Sequence, residues 1–519
     1  MNSLSDNEQY YLIPNYTMKC RLYPNKDAAK MIDRIIRGAS KAYNKATYEM
    51  KTDYTNTKEF ALDDGKTLHY VDYKTLTSAG YLNHLRSLDD DIAYVPANVL
   101  SGNQGIFMAD HKKAMSHKAI YKTTKIGTKR KTHESTARTK GTGYNPYSVE
   151  VADIDFYNSR HPRTSYTYQL NLQNVITATE NPNVFYIRLN ASSSAKENHQ
   201  VKVRGWNQNI RFGENQSENF LEMVKNSYSG TNMVTIIKDN CGDYWICFKL
   251  SNVYNPMTAR NDNKVGVDVG IKDIMITSNG DIYENKRFKK QESAHLKQIN
   301  KQLSRSQGWS NPEFRKKYKE DMTLKPSKRY EAKKIQYAKI SRSIANKRTH
   351  YNNCITHDII ANNGMIAIET LDVMKMRRKK DKFFNFALSD AAMSEILNML
   401  AYKGGWYGRD IRQIAQRFPS SKRCSCCGYI MPVMPLNVRE WDCPKCKAHH
   451  QRDINAGKNI LWFMLVLEYF KATIPSIKTY DDVIFIYEHK TRTLKFTDKK
   501  NHTLEIPSNE EIERVCLTK

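Results

Sequence analysis

The chain has 519 residues, with 82 Lys plus Arg against 54 Asp plus Glu and a formal net charge of +28. That is enough for about three or four domains, and basic charge spread over several segments points to a polyanion, nucleic acid first. The composition argues against a membrane span, because the apolar run from Ile460 to Leu467 is too short. It also argues against a secreted disulfide scaffold: the N-terminus has no apolar leader, and the 10 cysteines are scattered outside one cluster.

In chain order, Tyr16 to Tyr23 reads as a strand, and Pro24-Asn25 ends it with Asn25 as an N-cap. From Lys26 to about Met50, apolar residues such as Met31, Ile32, Ile35, Ile36, Ala39 and Tyr43 recur at helical spacing. Helix-compatible sequence continues to about residue 122, and 122–143 is a basic, Thr-rich linker or RNA-contacting loop. From Tyr144 to Leu250 the runs "NVFYIRLN", "HQVKVRGW", "MVTIIKD" and "YWICFKL" predict a small β-barrel or meander. Tyr16 to Tyr23 is able to complete it, which makes the helical part an insertion. Phe185, Trp206 and Trp245 are read mainly as its core, with stacking on RNA bases as the second option.

After Pro256, "KVGVDVGIKDIMITSNGDIY" predicts two strands and a turn at Asn279-Gly280. Lys286 to His350 is predicted helical and holds 20 Lys plus Arg against 5 Asp plus Glu, a net +15. Then come a buried strand in "GMIAIETL", the basic run "KMRRKKDK", a helix from about Leu388 to Lys403 and a strand near Ile411 to Ala415. The stretch after Thr473 contains strand-like pieces and no motif.

Cys424-x2-Cys427 and Cys443-x2-Cys446 have the zinc-ribbon spacing, two knuckles closing one four-sulfur site. Gly428 suits the turn of the first knuckle. Cys426 adjoins Cys427, and neighbouring side chains diverge, so Cys426 is read as a bystander. His449 and His450 are spare ligands, and Asp442 is a solvated acid. A closed four-thiolate site is structural, so the chemistry must come from elsewhere.

Three acids stand in poor places for acids. Asp268 sits within "VGVDVGI", Glu369 ends the apolar run "MIAIE", and Asp453 opens the helix "DINAGKNILWFMLVL". An ionised carboxylate among apolar neighbours costs several kcal/mol unless a cation compensates it. Each alone reads as well as a salt-bridge partner or a helix cap. Together they match the bridging carboxylates of a two-Mg²⁺ phosphodiester site. No nucleophile elbow or Walker loop is present.

In order, "GVDVGIKDIMITSNG", "IAIETLDV", "FPSSKRCSCCG", "CPKC" and "RDINAGKNI" resemble the RuvC-type nuclease core of TnpB, a transposon-associated protein, and of the compact type V CRISPR effectors. "YTMKCRLYPNKDAAKMIDRII" resembles the family's N-terminal start. The resemblance implies an α+β, multidomain, bilobed protein. Its parts would be an N-terminal β-barrel (wedge) in 1–25 and 141–258, an inserted helical recognition domain in 26–140, and an RNase H-like (RuvC) α/β core in 259–419. A zinc-ribbon insert in 420–450, the last motif helix in 451–472 and an extension in 473–519 would follow. The resemblance makes Asp268, Glu369 and Asp453 the catalytic acids holding two Mg²⁺ ions. Cys424, Cys427, Cys443 and Cys446 become the ligands of a structural Zn²⁺, and Arg452 becomes a candidate phosphate contact.

The resemblance also implies a guide RNA, a target DNA with a short flanking motif, cutting of both strands at one RuvC site and no membrane. The setting would be the cytoplasm of a prokaryotic cell, or a phage-encoded protein. A monomer and a homodimer on RNA are equally compatible with the sequence. The departures are Cys426-Cys427, Gly457 where alanine is common, and the extension. Two alternative functions stand beside the endonuclease: an RNA-guided DNA-binding repressor without cleavage, and a zinc-ribbon DNA-binding regulator without RNA. All three acids are present, which argues against the first. The basic segment and the chain length argue against the second.

Overall fold

The computed structural model describes residues 8–13, 15–52, 57–61, 67–71, 79–102, 104, 165–169, 176–181, 184–192, 195–204, 211–212, 233–250, 253–306, 327–371, 373–376, 381–416, 418–435 and 437–517. The predicted linker 122–143, most of the helical stretch 96–121, Trp206 and much of the run 375–382 lie outside them. By contacts the chain divides into two compact units. One comprises Leu12–Asn255 and Ile299–Lys339; the other comprises Met1–Tyr11, Pro256–Gln298 and Ile340–Lys519.

In the first unit, β1 (Tyr16–Tyr23) alternates buried and exposed residues, so Met18, Cys20 and Leu22 face a core. The helix α1 (Lys26–Thr52) follows, with Asn25 Oδ1 accepting from the Ala28 N–H at 2.8 Å as the cap. Its apolar stripe is buried in the same core as the sheet, with α2 (Ala79–Leu88) beside it. The sheet continues with β2 (Ser165–Gln169), β3 (Ile176–Ala178), β4 (Val184–Asn190), β5 (Asn198–Arg204), β6 (Met233–Lys238) and β7 (Tyr244–Leu250). The order is β2-β6-β7-β1-β5-β4-β3, antiparallel throughout, with β1 in the centre. The expected closed barrel is not formed among the described residues, where β2 and β3 remain as edges. The physical reason is the helix: α1 covers the sheet's apolar face, so the sheet need not curl on itself to bury it. Asp33 fastens the helix to the sheet, accepting from Lys238 Nζ at 2.6 Å and Tyr244 OH at 2.7 Å.

The predicted helix over Lys286 to His350 is broken. A short turn at Phe288–Gln291 precedes α3 (Ser293–Ser306), residues 307–326 lie outside the described set, and α4 (Lys328–Asn362) runs on past His350. Lys297, Lys301, Arg305, Lys334 and Lys339 are exposed.

The second unit is built on a five-stranded sheet. Its strands are β8 (Lys264–Asp268), β9 (Asp273–Thr277), β10 (Ile282–Glu284), β11 (Met365–Ile368) and β12 (Asp410–Gln413), in the order β10-β9-β8-β11-β12. The first three are antiparallel, with Gly280 at φ +98° in the second turn; β8, β11 and β12 are parallel. The predicted helix from Leu388 to Lys403 is two helices, α5 (Lys382–Ala391) and α6 (Met393–Trp406), parted at Ala392 with φ +50°. Asp390, at the break, accepts from the backbone N–H groups of Lys289 and Lys290 at 2.9 and 3.1 Å and so caps the short turn there.

A small hairpin, β13 (Glu440–Asp442) and β14 (His449–Gln451), leads into α7 (Arg452–Thr473). After α7, residues assigned to an extension form a three-stranded antiparallel sheet: β15 (Val483–Glu488), β16 (Thr493–Asp498) and β17 (Thr503–Leu504). Phe485 and Phe496 pack against Phe463 of α7, with ring centroids 5.1 and 5.4 Å away. The extension is therefore part of the same core as the helix that carries Asp453.

Candidate active site and metal centre

Parallel pairing brings the first two acids together. Val267 on β8 is opposite Ile368 on β11, so the next residues, Asp268 and Glu369, emerge side by side at the strands' C-terminal ends. Helix α7 brings the third. A Cβ built on Gly266 of β8 would lie 2.1 Å from the Gly457 carbonyl oxygen, and one on Gly457 would lie 2.9 Å from the Ser278 nitrogen. Only glycines permit that approach. Asp453 lies one turn before Gly457, on the same helix face, and that face meets the sheet.

The three carboxylates line one cavity of about 430 Å³, with Arg439, Arg452 and Ser421 also in its wall. Burial pushes the Asp268 carboxyl up to about 8, with the neighbouring charges of Glu369 and Asp453 adding to the rise and Arg452 opposing it. Burial raises Glu369 as well, against a hydrogen bond from Ser420 Oγ at 2.8 Å. Arg439 Nη1 donates to Asp453 Oδ2 at 2.9 Å, and Arg452 Nε stands 3.9 Å from Asp453 Oδ1. Asp453 does not cap α7; the Gln451 side chain does, accepting from the Ile454 N–H at 2.6 Å. Three carboxylates gathered in one cavity supply hard oxygen donors of the kind that divalent cations take.

The four predicted cysteines also come together. Sγ of Cys424, Cys427, Cys443 and Cys446 all lie within 4.8 Å of one another. The Cys424–Cys446 and Cys427–Cys443 sulfurs are 3.6 Å apart, close to the ~3.8 Å expected for a tetrahedral ion at Zn–S distances. The two knuckles repeat one design. Gly428 N donates to Cys424 O at 2.9 Å and Lys447 N to Cys443 O at 2.8 Å, with both residues in the left-handed region at φ +74° and +64°. Cys426 is exposed. His450 is closer to the site than expected: Nε2 lies 3.0 Å from Cys424 Sγ, and Cys424, Cys426 and His450 form a second compact group. Burial holds the His450 imidazole below its ordinary range, helped by the nearby Lys458 and His449. Asp442 is exposed, as expected of a solvated acid, and pairs with His449 Nδ1 at 2.9 Å.

Two family models match: "Probable transposase" over residues 246–380 and "Cas12f1-like, TNB domain" over residues 394–460. Over these residues the chain is similar to the proteins those two models describe. Among its relatives, a Streptomyces pristinaespiralis protein named as an RNA-guided DNA endonuclease is 32% identical over 228 residues, 44% of this chain and 52% of its own length. The Escherichia coli K12 relative InsQ, with the same naming, is 23% identical over 50% of this chain and 67% of its own length. A Cas12f1 endodeoxyribonuclease from an uncultured archaeon is 29% identical over 21% of each chain. The chain spans about half the length of the curated relatives it matches. A solved Cas12f1–sgRNA–target DNA complex aligns with a TM-score of 0.41 and 16% identity, over 86% of this chain and 98% of that one.

Sequence reasoning missed Arg439, which lies in a loop of no pattern. It also missed Ser420, Asn455 and Asn459. The asparagines did leave a signal, since they are polar residues four apart inside an apolar helix.

The first unit presents a different surface. On the face of its sheet away from the core, Trp245 lies beneath Lys19 Nζ and the Arg21 guanidinium, 4.6 and 4.9 Å from its ring centroid. Tyr23, Tyr186, Lys202 and Arg204 are exposed on the same face. Phe185 is buried as expected, whereas Trp245 belongs to this outer face.

Proposed function

We propose that the chain is an RNA-guided DNA endonuclease that hydrolyses phosphodiesters at one RuvC-type site. The observation that carries the proposal is the meeting of Asp268, Glu369 and Asp453 in a single cavity. The sheet order, three antiparallel strands continued by two parallel ones, supports an RNase H-like reading of 259–419, with 420–450 as the zinc ribbon and 451–472 as the closing helix. The names of the relatives support the reaction.

The three acids would hold two Mg²⁺ ions. Bound there, magnesium supplies a Lewis acid that activates water and steadies the leaving oxygen. The chain's own residues prepare the ground. Ser420 fixes the Glu369 carboxylate in one orientation. Arg439 and Arg452 offset carboxylate repulsion in the free protein and stand where the phosphate of an entering strand needs a cation. Both guide RNA and target DNA are polyanions, and a hybrid is held through its backbone. The basic helices α3 and α4 supply that charge. The Trp245 face, basic with exposed aromatics, suits RNA. On this reading 1–25 and 141–258 form the wedge around a recognition domain in 26–140.

The test is co-expression with flanking DNA and sequencing of the copurified RNA. With that RNA, Asp268→Ala should keep target binding and lose Mg²⁺-dependent cutting. Full activity of a nucleic-acid-free protein would overturn the RNA-guided reading.

A further inference from the structure

The ribbon and the acid cavity are joined by a small set of buried polar contacts. Asn455 and Asn459, both buried on α7, grip the first knuckle. Asn455 Nδ2 donates to the Arg423 carbonyl at 2.8 Å, and Asn455 Oδ1 accepts from the Ser425 N–H at 3.0 Å. Asn459 Nδ2 donates to the Ser420 carbonyl at 2.9 Å, and Asn459 Oδ1 accepts from Arg423 Nη1 at 2.8 Å. Ser420, held in this way, is the residue whose hydroxyl donates to Glu369. Asparagine 455 is two residues beyond Asp453. The same few contacts thus tie the Glu369 carboxylate and the helix turn that carries Asp453 to one knuckle.

The charge arrangement gives this clamp a reason to respond to metal. Arg423 is buried, its guanidinium lies 3.5 Å from the Trp462 ring centroid, and among the described residues its hydrogen-bond partner is an amide, not a carboxylate. Arg423 directly precedes Cys424 and packs against the knuckle turn, where a Cβ built on Gly428 would lie 3.3 Å from Arg423 Nη2. One Zn²⁺ in four thiolates carries a net charge of about −2, which stabilises a buried cation beside it. An unloaded site offers no comparable partner, and an uncompensated buried cation is costly.

We infer that Arg423, Asn455 and Asn459 are positioning residues through which zinc in the ribbon sets the geometry of the three-acid site. The inference rests on the nuclease reading above and adds to it: the ribbon braces the catalytic cavity whether or not nucleic acid is bound. Because coupling between two binding sites is reciprocal, divalent cation at the acids must tighten zinc by the same factor.

That reciprocity supplies the experiment. Zinc affinity of the full chain is measured by equilibrium competition with a zinc-selective chromophoric chelator, with and without saturating Mg²⁺. Mn²⁺ binding at the acids is followed separately by electron paramagnetic resonance. Zinc should bind at least about fivefold more tightly in Mg²⁺, and Asp268→Asn should remove that difference while keeping one zinc per chain. Asn455→Ala should also keep zinc, lose the Mg²⁺ effect and weaken Mn²⁺ binding. Ser420→Ala, a smaller change, should weaken Mn²⁺ binding with zinc unaffected. Equal zinc affinity with and without Mg²⁺ in the wild-type chain, alongside Asp268-dependent Mn²⁺ binding, would overturn the coupling and leave the nuclease reading intact. Mn²⁺ binding that ignores Asp268→Asn would overturn the site itself.

Discussion

The four-cysteine ribbon and the three-acid cavity of the second unit are opposites in electrostatic design. The ribbon is complete in itself: four sulfurs lie within 4.8 Å of one another, and backbone N–H groups support the knuckles. The acid cavity is incomplete. Its carboxylates crowd together, burial drives Asp268 up to about 8, and two arginines in the wall offset only part of the repulsion. A closed site serves architecture, because nothing further can enter it. A site whose carboxylate repulsion is only partly offset favours a cation, and chemistry can use that preference.

Removing one acid should widen this contrast most. Asp268→Ala should lower cleavage of a guide-matched plasmid on the order of 10³-fold, while filter binding of the same target changes little. A comparable loss from Cys426→Ser would make the ribbon part of the reaction and erase the contrast.

The acid cavity should also reveal itself in stability against pH. Without metal, Asp268 titrates at about 8 in the folded chain against an ordinary 3.8. Below about pH 4 both folded and unfolded chains are protonated at this group, and it has no effect. As pH rises to 8, the unfolded chain releases its proton first, so the folded state loses stability. Above 8 both are ionised and the loss is complete. Asp268→Asn cannot ionise. In chelator it should melt higher than wild type at pH 9, by on the order of a few kcal/mol, with the gap closing toward pH 4. Mg²⁺ should raise the wild type alone. A gap constant with pH would mean that Asp268 is not held in a desolvated, crowded place.

The ribbon was legible because its ligands come in two short pairs whose spacing is itself the geometry. The acids were legible for a different reason: Asp268 and Glu369 break apolar strands, and an unexplained charge in a core asks for a partner. What no local pattern carried was the assembly. The pairing of Val267 with Ile368 and the approach of Gly266 to Gly457 are set by tertiary packing. The barrel expectation failed because strand patterns report a buried face without saying whether a sheet or a helix covers it. The extension after Thr473 was opaque for a similar reason. Its alternation in "VIFIYE" marks a strand, yet only the fold puts Phe485 and Phe496 on Phe463. Phe496 is fully buried there. Phe496→Ala should cost about 3–5 kcal/mol, read from denaturant melts, and should loosen the helix behind Asp453 while zinc content stays at one per chain.

The smallest expected effect is the most discriminating for the ribbon. Two ligand sets share Cys424: the four-thiol set, and the group of Cys424, Cys426 and His450. In the first set the knuckle loops are related by their hydrogen bonds, and Gly428 and Lys447 adopt the same left-handed turn. In the second the ligand atoms also lie within 4.8 Å of one another, but the set has three donors instead of four and Cys426 is exposed. Cys426→Ser should therefore keep one zinc and change stability by no more than about 0.5 kcal/mol. Cys443→Ser, which removes a buried thiol from the four-sulfur set alone, should release the metal and lower the melting temperature of the second unit. If the two variants exchanged outcomes, His450 would be a ligand and the second set would hold the ion. The short contact between His450 and Cys424 would then be a bond through metal. With the outcomes as stated, it is a hydrogen bond from a neutral imidazole to a thiolate, which ties the strand just before Asp453 to the ribbon.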